Sequence, residues 1–181
     1  MFCILLVASS TITPIFGQIT KGTESITASF RSTHDSHLGG LISYENFWNE
    51  HMFYNYSVGA SESHNYKWEY LVDFDMGYRF KLNNYQPDIR FGFGYLFGKY
   101  KEDILDTKNG SSNTDELQAS ITTTLKLGLF NWNFPDMQNF PFRVFTNIGV
   151  QYQFPTNRFY DRRNEASWHL LMETGLGYYL K

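Results

Sequence analysis

The sequence predicts an all-β protein: an eight-stranded, antiparallel, up-and-down barrel that crosses a membrane with its strands. Apolar and polar residues alternate with a period of two through most of the chain, which is typical of strands and not of helices. The apolar set carries no charge in the middle of five successive segments. Aromatic residues make up 19% of the chain and 14 glycines are spread along it, a composition that also favours strands.

The charge balance and the cysteine content exclude several classes of function. The chain has 181 residues with 18 acidic and 15 basic side chains, a net charge of -3, so it lacks the basic surface that attracts nucleic acid. Its single cysteine, Cys3, lies in an apolar N-terminal segment, which excludes disulfides, thiolate zinc sites and a catalytic thiol. We expect one domain, no cofactor and no bound metal.

The N-terminal segment is predicted to be a cleaved signal peptide. Residues 1–17 contain no Asp, Glu, Lys or Arg, and the apolar run Phe2–Ala8 is too short to cross a bilayer as a helix. The segment ends in Gly17, a small residue of the kind that a cleavage site requires. A mature chain that begins at Gln18 resembles exported proteins of Bacteroidota. The alternative is a buried N-terminal strand. The chain therefore divides into a signal peptide, 1–17, and a barrel, 18–181.

Eight alternating runs follow in order along the predicted barrel. The first three are short and centre on residues 26–30, 42–44 and 52–58. The fourth, residues 67–82, is long and has one apolar and one charged side. The same pattern recurs four times, at residues 89–98, 117–129, 142–153 and 168–180. Turn-forming and polar residues predict the seven connections, at 32–37, 46–51, 61–65, 83–88, 102–115, 131–141 and 155–165.

The apolar side of each strand is predicted to face lipid and the polar side to face the lumen. Lipid cannot solvate charge, and the apolar side has none. Gly92 and Gly94 lie on the polar side, where a narrow lumen needs small residues. Aromatic residues crowd both ends of the apolar band, as expected at two membrane interfaces. The predicted lipid-facing residues include Trp68, Tyr70, Phe74, Phe91, Phe93, Leu125, Trp168 and Tyr178. The alternative is a soluble, lipocalin-like ligand-binding barrel with its apolar side inward.

Chain length limits the size of the barrel. Residues 18–181 allow about 20 residues for each of eight strands with its connection, whereas 14 or 16 strands would leave only about 10 to 12, which excludes a large porin. If both termini are periplasmic, the connections at 32–37, 61–65, 102–115 and 155–165 face the cell exterior.

The alternation over residues 18–181, with the ending Gly177-Tyr178-Tyr179-Leu180-Lys181, resembles the small eight-stranded outer-membrane proteins of Gram-negative bacteria, the OmpA-transmembrane and OmpX type. Such barrels commonly end in an aromatic residue that the barrel-assembly machinery recognises; here the aromatic residues lie near the terminus and not on it. The resemblance implies location in the cell outer membrane. It also implies contact with outer-membrane lipid and lipopolysaccharide, and assembly by that machinery.

The polar side carries charges of both signs, which together predict a salt-bridged lumen. The predicted network is Lys67, Glu69, Asp73, Asp75, Arg79, Lys81, Arg90, Lys126, Arg143 and Glu173, with Arg31 and Glu45 on the same side. Charges confined in a lumen must pair or keep water, so a nearly balanced set favours a plug over an ion-selective ring. Glycines of the fifth strand would let Lys126 reach Asp73 and Asp75. The alternative is a small channel for ions or hydrophilic solutes.

Histidines near the predicted outer rim raise the question of catalysis. His34, His37, His64 and His169 lie there, with Ser36 and Ser63 close in sequence. A nucleophile needs an oriented base on rigid elements, and only His169 lies on a strand. We therefore predict no catalytic residue, no metal site and a non-enzymatic protein. Its expected role is structural or surface-interacting, with outer connections that contact surface polysaccharide or other proteins.

Overall fold

The computed structural model describes residues 19–34, 38–62, 66–82, 84–100, 118–134, 141–155 and 167–180. These residues form eight antiparallel strands in a closed barrel, each paired with its neighbour in sequence and the last with the first. The strands are β1 Glu24–Thr33, β2 Leu38–Phe47, β3 Met52–Glu62, β4 Tyr66–Arg79, β5 Asp88–Tyr100, β6 Gln118–Asn133, β7 Phe142–Pro155 and β8 Ser167–Leu180. The predicted fold class is confirmed.

The two ends of the barrel differ. The end at which β1 begins and β8 ends is called the base, and the opposite end is called the mouth. At the base, the short segments 48–51 and 80–87 connect β2 to β3 and β4 to β5. At the mouth, the longer segments 101–117 and 156–166 connect β5 to β6 and β7 to β8. Residues 1–18, which contain the predicted signal peptide, lie outside the described residues, as do both long mouth connections.

Burial in this barrel is the reverse of burial in a water-soluble protein. Large apolar side chains are exposed on the outer surface, with Ile42 62% and Trp168 68% exposed, whereas Arg79 and Arg143 inside the barrel are 0% exposed. In water, exposed apolar area of this extent would be strongly unfavourable. The distribution is that of a barrel surrounded by lipid, and it is the inverse of a soluble barrel with an apolar cup. No helix among the described residues is long and apolar enough to cross a membrane.

Aromatic pairs border the apolar outer surface at both ends. Near the mouth, the rings of Tyr152 and Trp168 are 4.5 Å apart between centroids. Near the base, Phe142 and Tyr178 are 5.3 Å apart. All eight predicted lipid-facing side chains point outward; Trp68, Phe74 and Tyr178 are half-buried because neighbouring rings cover them, and the others are exposed.

Strand β6 is longer than the sequence pattern predicted. Residues 131–141 were expected to form a connection, but β6 continues to Asn133. A register shift between Gly128 and Phe130 marks a β-bulge, and it reverses the alternation so that Asn131 becomes buried in the lumen. The expected boundary was wrong because a bulge interrupts the period of two without ending the strand.

Candidate functional site: the charged barrel interior

Inward side chains from all eight strands fill the lumen in layers. Two layers are charged. The base cluster consists of Glu45, Arg79, Asp88, Arg90 and Arg143, and the central cluster, nearer to the mouth, consists of Arg31, Asp73, Asp75, Lys126 and Glu173. All ten side chains are buried. The buried charged side chains of the described structure are therefore concentrated in the lumen.

The base cluster is organised around two carboxylates. Arg79 donates from Nη1 and Nη2 to the two oxygens of Glu45, both at 3.0 Å, and from Nη2 to Asp88 at 2.9 Å. Arg90 binds the other oxygen of Asp88 through Nε at 2.8 Å. Arg143 reaches Glu45 at 2.9 Å. Paired geometry of this kind offsets part of the cost of removing the charges from water.

Aromatic rings support the arginines from the base side. The guanidinium carbon of Arg79 lies 4.9 Å from the ring centroid of Phe47 and 4.7 Å from that of Phe53. Arg90 lies 4.9 Å from Phe53. These distances are within the range of cation–π attraction, which strengthens when the cation is desolvated.

The central cluster is organised around Lys126. Its Nζ donates to Asp75 at 3.0 Å and to Asp73 at 3.3 Å, and lies 3.2 Å from Glu173. Arg31 lies 3.6 Å from Asp73 and 3.8 Å from Glu173, and it also donates to Gln151. One lysine of β6 thus connects carboxylates from β4 and β8, two strands that do not pair with β6 in the sheet.

The two clusters balance each other in charge. Among the described side chains, the base cluster holds three arginines and two carboxylates, and the central cluster holds two cations and three carboxylates. Their formal charges are therefore +1 and -1, and the ten groups sum to zero. These ten paired groups contribute little net field with which to attract ions of either sign.

Two glycines of β5 make room for the central carboxylates. Gly92 is paired with Asp75 across β4 and β5, and Gly94 is paired with Asp73. A Cβ atom on Gly92 would lie 2.0 Å from Asp75 Oδ1, and one on Gly94 would lie 2.3 Å from Asp73 Oδ1. Glycine is needed here because the carboxylates occupy the space of a side chain.

Three inward leucines pack together near the central cluster. Leu41, Leu71 and Leu96 are each 6% exposed and form one buried apolar cluster. A cavity of about 30 Å³ is lined by these leucines, by Arg31 of the central cluster and by polar residues toward the mouth, including Glu69, Gln151, Gln153 and His169. Such a cavity has room for about two water molecules.

The remaining predicted network residues lie in different places. Glu69 is buried near the mouth, where Ser61 donates to it. The side chain of Lys67 lies outside the described residues. Lys81 was predicted to join the lumen network, and this was wrong: it lies beyond the end of β4 at the base, where it binds the backbone oxygen of Ile19 at 2.6 Å and Glu50 at 3.2 Å. Its position follows from the chain leaving the sheet after Arg79.

Asp88 is a network residue that sequence reasoning missed. It was placed in the connection 83–88, yet it opens β5 and binds both Arg79 and Arg90. A signal was present, because Asp88 has the same parity as Arg90 and Gly92 on the polar side of that strand. The inward leucines were also visible as apolar residues on the polar side, of which Leu96 is an example.

The described histidines lie at both ends of the barrel. His169 is buried, with its ring centroid 5.9 Å from that of His34, and His34 Nδ1 accepts the backbone N–H of Leu170 at 3.2 Å. His51 stacks on Tyr78 at the base, 5.2 Å away. His37, His64, Ser36 and Ser63 lie outside the described residues. Within the described ranges, no three His, Cys, Asp or Glu side chains are placed to hold a metal ion.

Comparison with known proteins gives structural similarity only. No protein-family model matches the chain, and no curated protein matches its sequence significantly. The N-terminal β-barrel domain of Pseudomonas aeruginosa OprF is similar, with a TM-score of 0.53 and 13% identity over 88% of this chain and 98% of that one. A de novo designed transmembrane β-barrel has a TM-score of 0.49 and 11% identity, over 91% and 100% of the two chains. Neisserial surface protein A has a TM-score of 0.46 and 11% identity, over 88% and 95%.

Proposed function

We propose that this chain is an outer-membrane barrel protein of a Gram-negative bacterium, with an occluded lumen and a structural or surface-interaction role. One observation carries the proposal: ten paired, buried charges fill the lumen. The lumen acts as the rigid centre of the barrel, and the connections at the mouth provide the surface that other molecules contact.

The location is supported by the exterior and by the fold. A closed barrel with an apolar outer surface and aromatic borders pairs the backbone groups of its strands within the sheet, whereas an open sheet would leave an unpaired edge in lipid. The OprF N-terminal barrel domain has the same fold. In this setting the barrel contacts outer-membrane lipid and lipopolysaccharide, and the barrel-assembly machinery inserts it.

The proposed absence of conduction is supported by the energetics of the central cluster. A cation that crosses the central cluster must displace Lys126 from carboxylates at 3.0 to 3.3 Å, and an anion must pass Asp73, Asp75 and Glu173. Separating a buried ion pair without replacing its contacts costs several kcal/mol.

The surface role is supported by the lengths of the connections. A β-hairpin needs only about two to five residues in its loop. The connections 101–117, after β5, and 156–166, after β7, are the two longest of the barrel, and both lie at the mouth. Long connections held by a rigid barrel are common sites of recognition. Surface polysaccharide and other surface proteins are the proposed contacts.

Occlusion is tested by recording from purified protein in a planar bilayer. We expect no steady conductance from the wild type at either polarity. Heat-dependent mobility on a gel serves as the control that the protein is folded. Steady conductance that changes in Asp75→Asn or Lys126→Met would contradict occlusion and favour the small-channel alternative, because the current would then pass the central cluster.

The surface role is tested by replacing residues 101–117 or 156–166 with a short Gly-Asn turn. We expect both variants to assemble with unchanged heat-dependent mobility. Binding to immobilised lipopolysaccharide and capsular polysaccharide from the host strain should fall in at least one variant. Binding that is equal in both variants and the wild type would contradict a recognition role for these connections.

A further inference from the structure

Residues 19–23, which precede β1, pack against the base of the barrel. We propose that residues 19–23 form a stopper that seals the base and that Lys81 is its latch. The proposal does not depend on whether the barrel conducts, since it concerns the access of water to the base cluster.

Ile19 is seated in an aromatic cup. Its side chain is 1% exposed and belongs to one buried cluster with Phe47, Phe53 and Tyr179. The next three residues, 20–22, are exposed. A residue that precedes the first strand is ordinarily solvated, so burial of this single side chain is specific to the cup.

Several backbone hydrogen bonds fold the segment against β2. Gly22 N–H donates to the backbone oxygen of Phe47 at 2.7 Å, and Phe47 N–H donates to that of Thr23 at 2.9 Å. Thr23 N–H donates to the backbone oxygen of Thr20 at 3.1 Å, and this hydrogen bond closes a turn. Gly22 has a φ of 82°, a left-handed conformation that glycine adopts without strain. This turn directs Ile19 back under the barrel.

Lys81 fastens the segment from the opposite side of the base. Its Nζ donates to the backbone oxygen of Ile19 at 2.6 Å and to Glu50 at 3.2 Å. The lysine therefore links the stopper to the chain after β4 and to the turn between β2 and β3. This role accounts for the position of Lys81, which does not belong to either charged cluster of the lumen.

The stopper lies beneath the base cluster. Phe47 and Phe53, which belong to the same buried cluster as Ile19, are the rings that lie 4.9 Å and 4.7 Å from the Arg79 guanidinium. Glu45 and Arg79 are 0% exposed with the stopper in place. The proposed stopper thus keeps water away from the ion pairs of the base cluster.

The seat of Ile19 is tested by thiol accessibility in the folded barrel in detergent. In a Cys3→Ser background, Ile19→Cys and Thr20→Cys are treated with a small water-soluble methanethiosulfonate. We expect Ile19→Cys to react at least about tenfold more slowly, because its reaction must wait for local opening. Adding Lys81→Met should accelerate Ile19→Cys and leave Thr20→Cys unchanged. Equal rates for the two neighbouring thiols would overturn the proposal.

A second measurement substitutes Ile19 and follows the reaction rate of a thiol placed inside the base. Ser25 is 0% exposed inside the base and donates to Glu45, so Ser25→Cys reports on water entry there. We expect Ile19→Gly to accelerate the reaction of Ser25→Cys about tenfold while Thr122→Cys, buried nearer to the mouth, is unaffected. No acceleration at Ser25→Cys in a barrel that keeps its heat-dependent mobility would also refute the stopper.

Discussion

Replacing Lys126 with methionine removes a cation that contacts all three carboxylates of the central cluster. Asp73, Asp75 and Glu173 would then face Arg31 as the remaining cation of that cluster among the described side chains. The formal charge of the central cluster would change from -1 to -2. Methionine keeps most of the volume of lysine, so the substitution tests charge and not packing.

The expected loss in the free energy of unfolding follows from the burial of the Lys126 side chain. Lys126 is 2% exposed and lies within 3.3 Å of a carboxylate oxygen from each of its three partners. Removing one partner of a buried ion pair typically costs about 3–5 kcal/mol, because the charges left behind lose their compensation. We expect the free energy of unfolding to fall by about that amount.

Thr124→Val is the matched control. It lies two residues away on the same strand and the same side, and its hydroxyl donates to Asp75 at 3.2 Å. Its loss removes one hydrogen bond, which is worth about 1 kcal/mol to 3 kcal/mol when a charged acceptor is left. Unfolding in urea, followed by tryptophan fluorescence in lipid vesicles, measures both variants against the wild type.

A further variant separates charge from all other effects. Lys126→Met combined with Asp75→Asn returns the formal charge of the central cluster to -1, so we expect it to recover part of the loss. The reasoning is refuted if Lys126→Met costs no more than Thr124→Val, or if the double variant is less stable than Lys126→Met alone.

Three other predictions concern packing, lipid contact and catalysis. Gly92→Ala should destabilise the barrel by about 1–3 kcal/mol in the same urea assay, because its Cβ would meet Asp75. Gly40→Ala is the control, because the nearest atom to an added Cβ there is 4.0 Å away, and we expect it to cause no such loss of stability. Equal losses of stability in the two glycine variants would contradict the steric explanation. Leu125→Arg should block assembly, since a charge on the lipid-facing side costs about 2–4 kcal/mol at the midplane, whereas Leu125→Ala should still yield a heat-modifiable barrel. We expect the lipid A composition, measured by mass spectrometry, to be the same in cells that carry the wild type and in cells that carry His169→Ala. A difference in lipid A acylation that the wild type produces and the variant does not would assign the protein an enzymatic role.

The alternation of residues was sufficient to predict the barrel and the direction of its side chains. In β5, Arg90 points inward and Phe91 points outward. Inward and outward side chains alternate in the same way along β4 and β8. The prediction succeeds because successive side chains of a strand point to opposite sides, so the pattern depends on neighbours in sequence alone. Chain length then limited the number of strands.

Irregularities at the strand ends were not predictable in this way. The bulge after Gly128 shifts the parity of β6, and Asp88 begins a strand where a connection was expected. Lys81 continues the parity of β4, but β4 has already ended at Arg79. Each depends on where one backbone leaves its neighbour, which is decided by pairing with another strand.

The pairing of the charges was decided by the tertiary structure. The sequence predicted that Lys126 reaches Asp73 and Asp75, and Lys126 contacts both. It did not predict that Glu173 joins them, because β4, β6 and β8 meet at one point only when the sheet closes on itself with a particular register. The same closure divides ten charges into two layers of opposite net charge and creates the cup that holds Ile19. A period of two describes one strand at a time, whereas contacts across a lumen depend on the curvature and register of all eight strands.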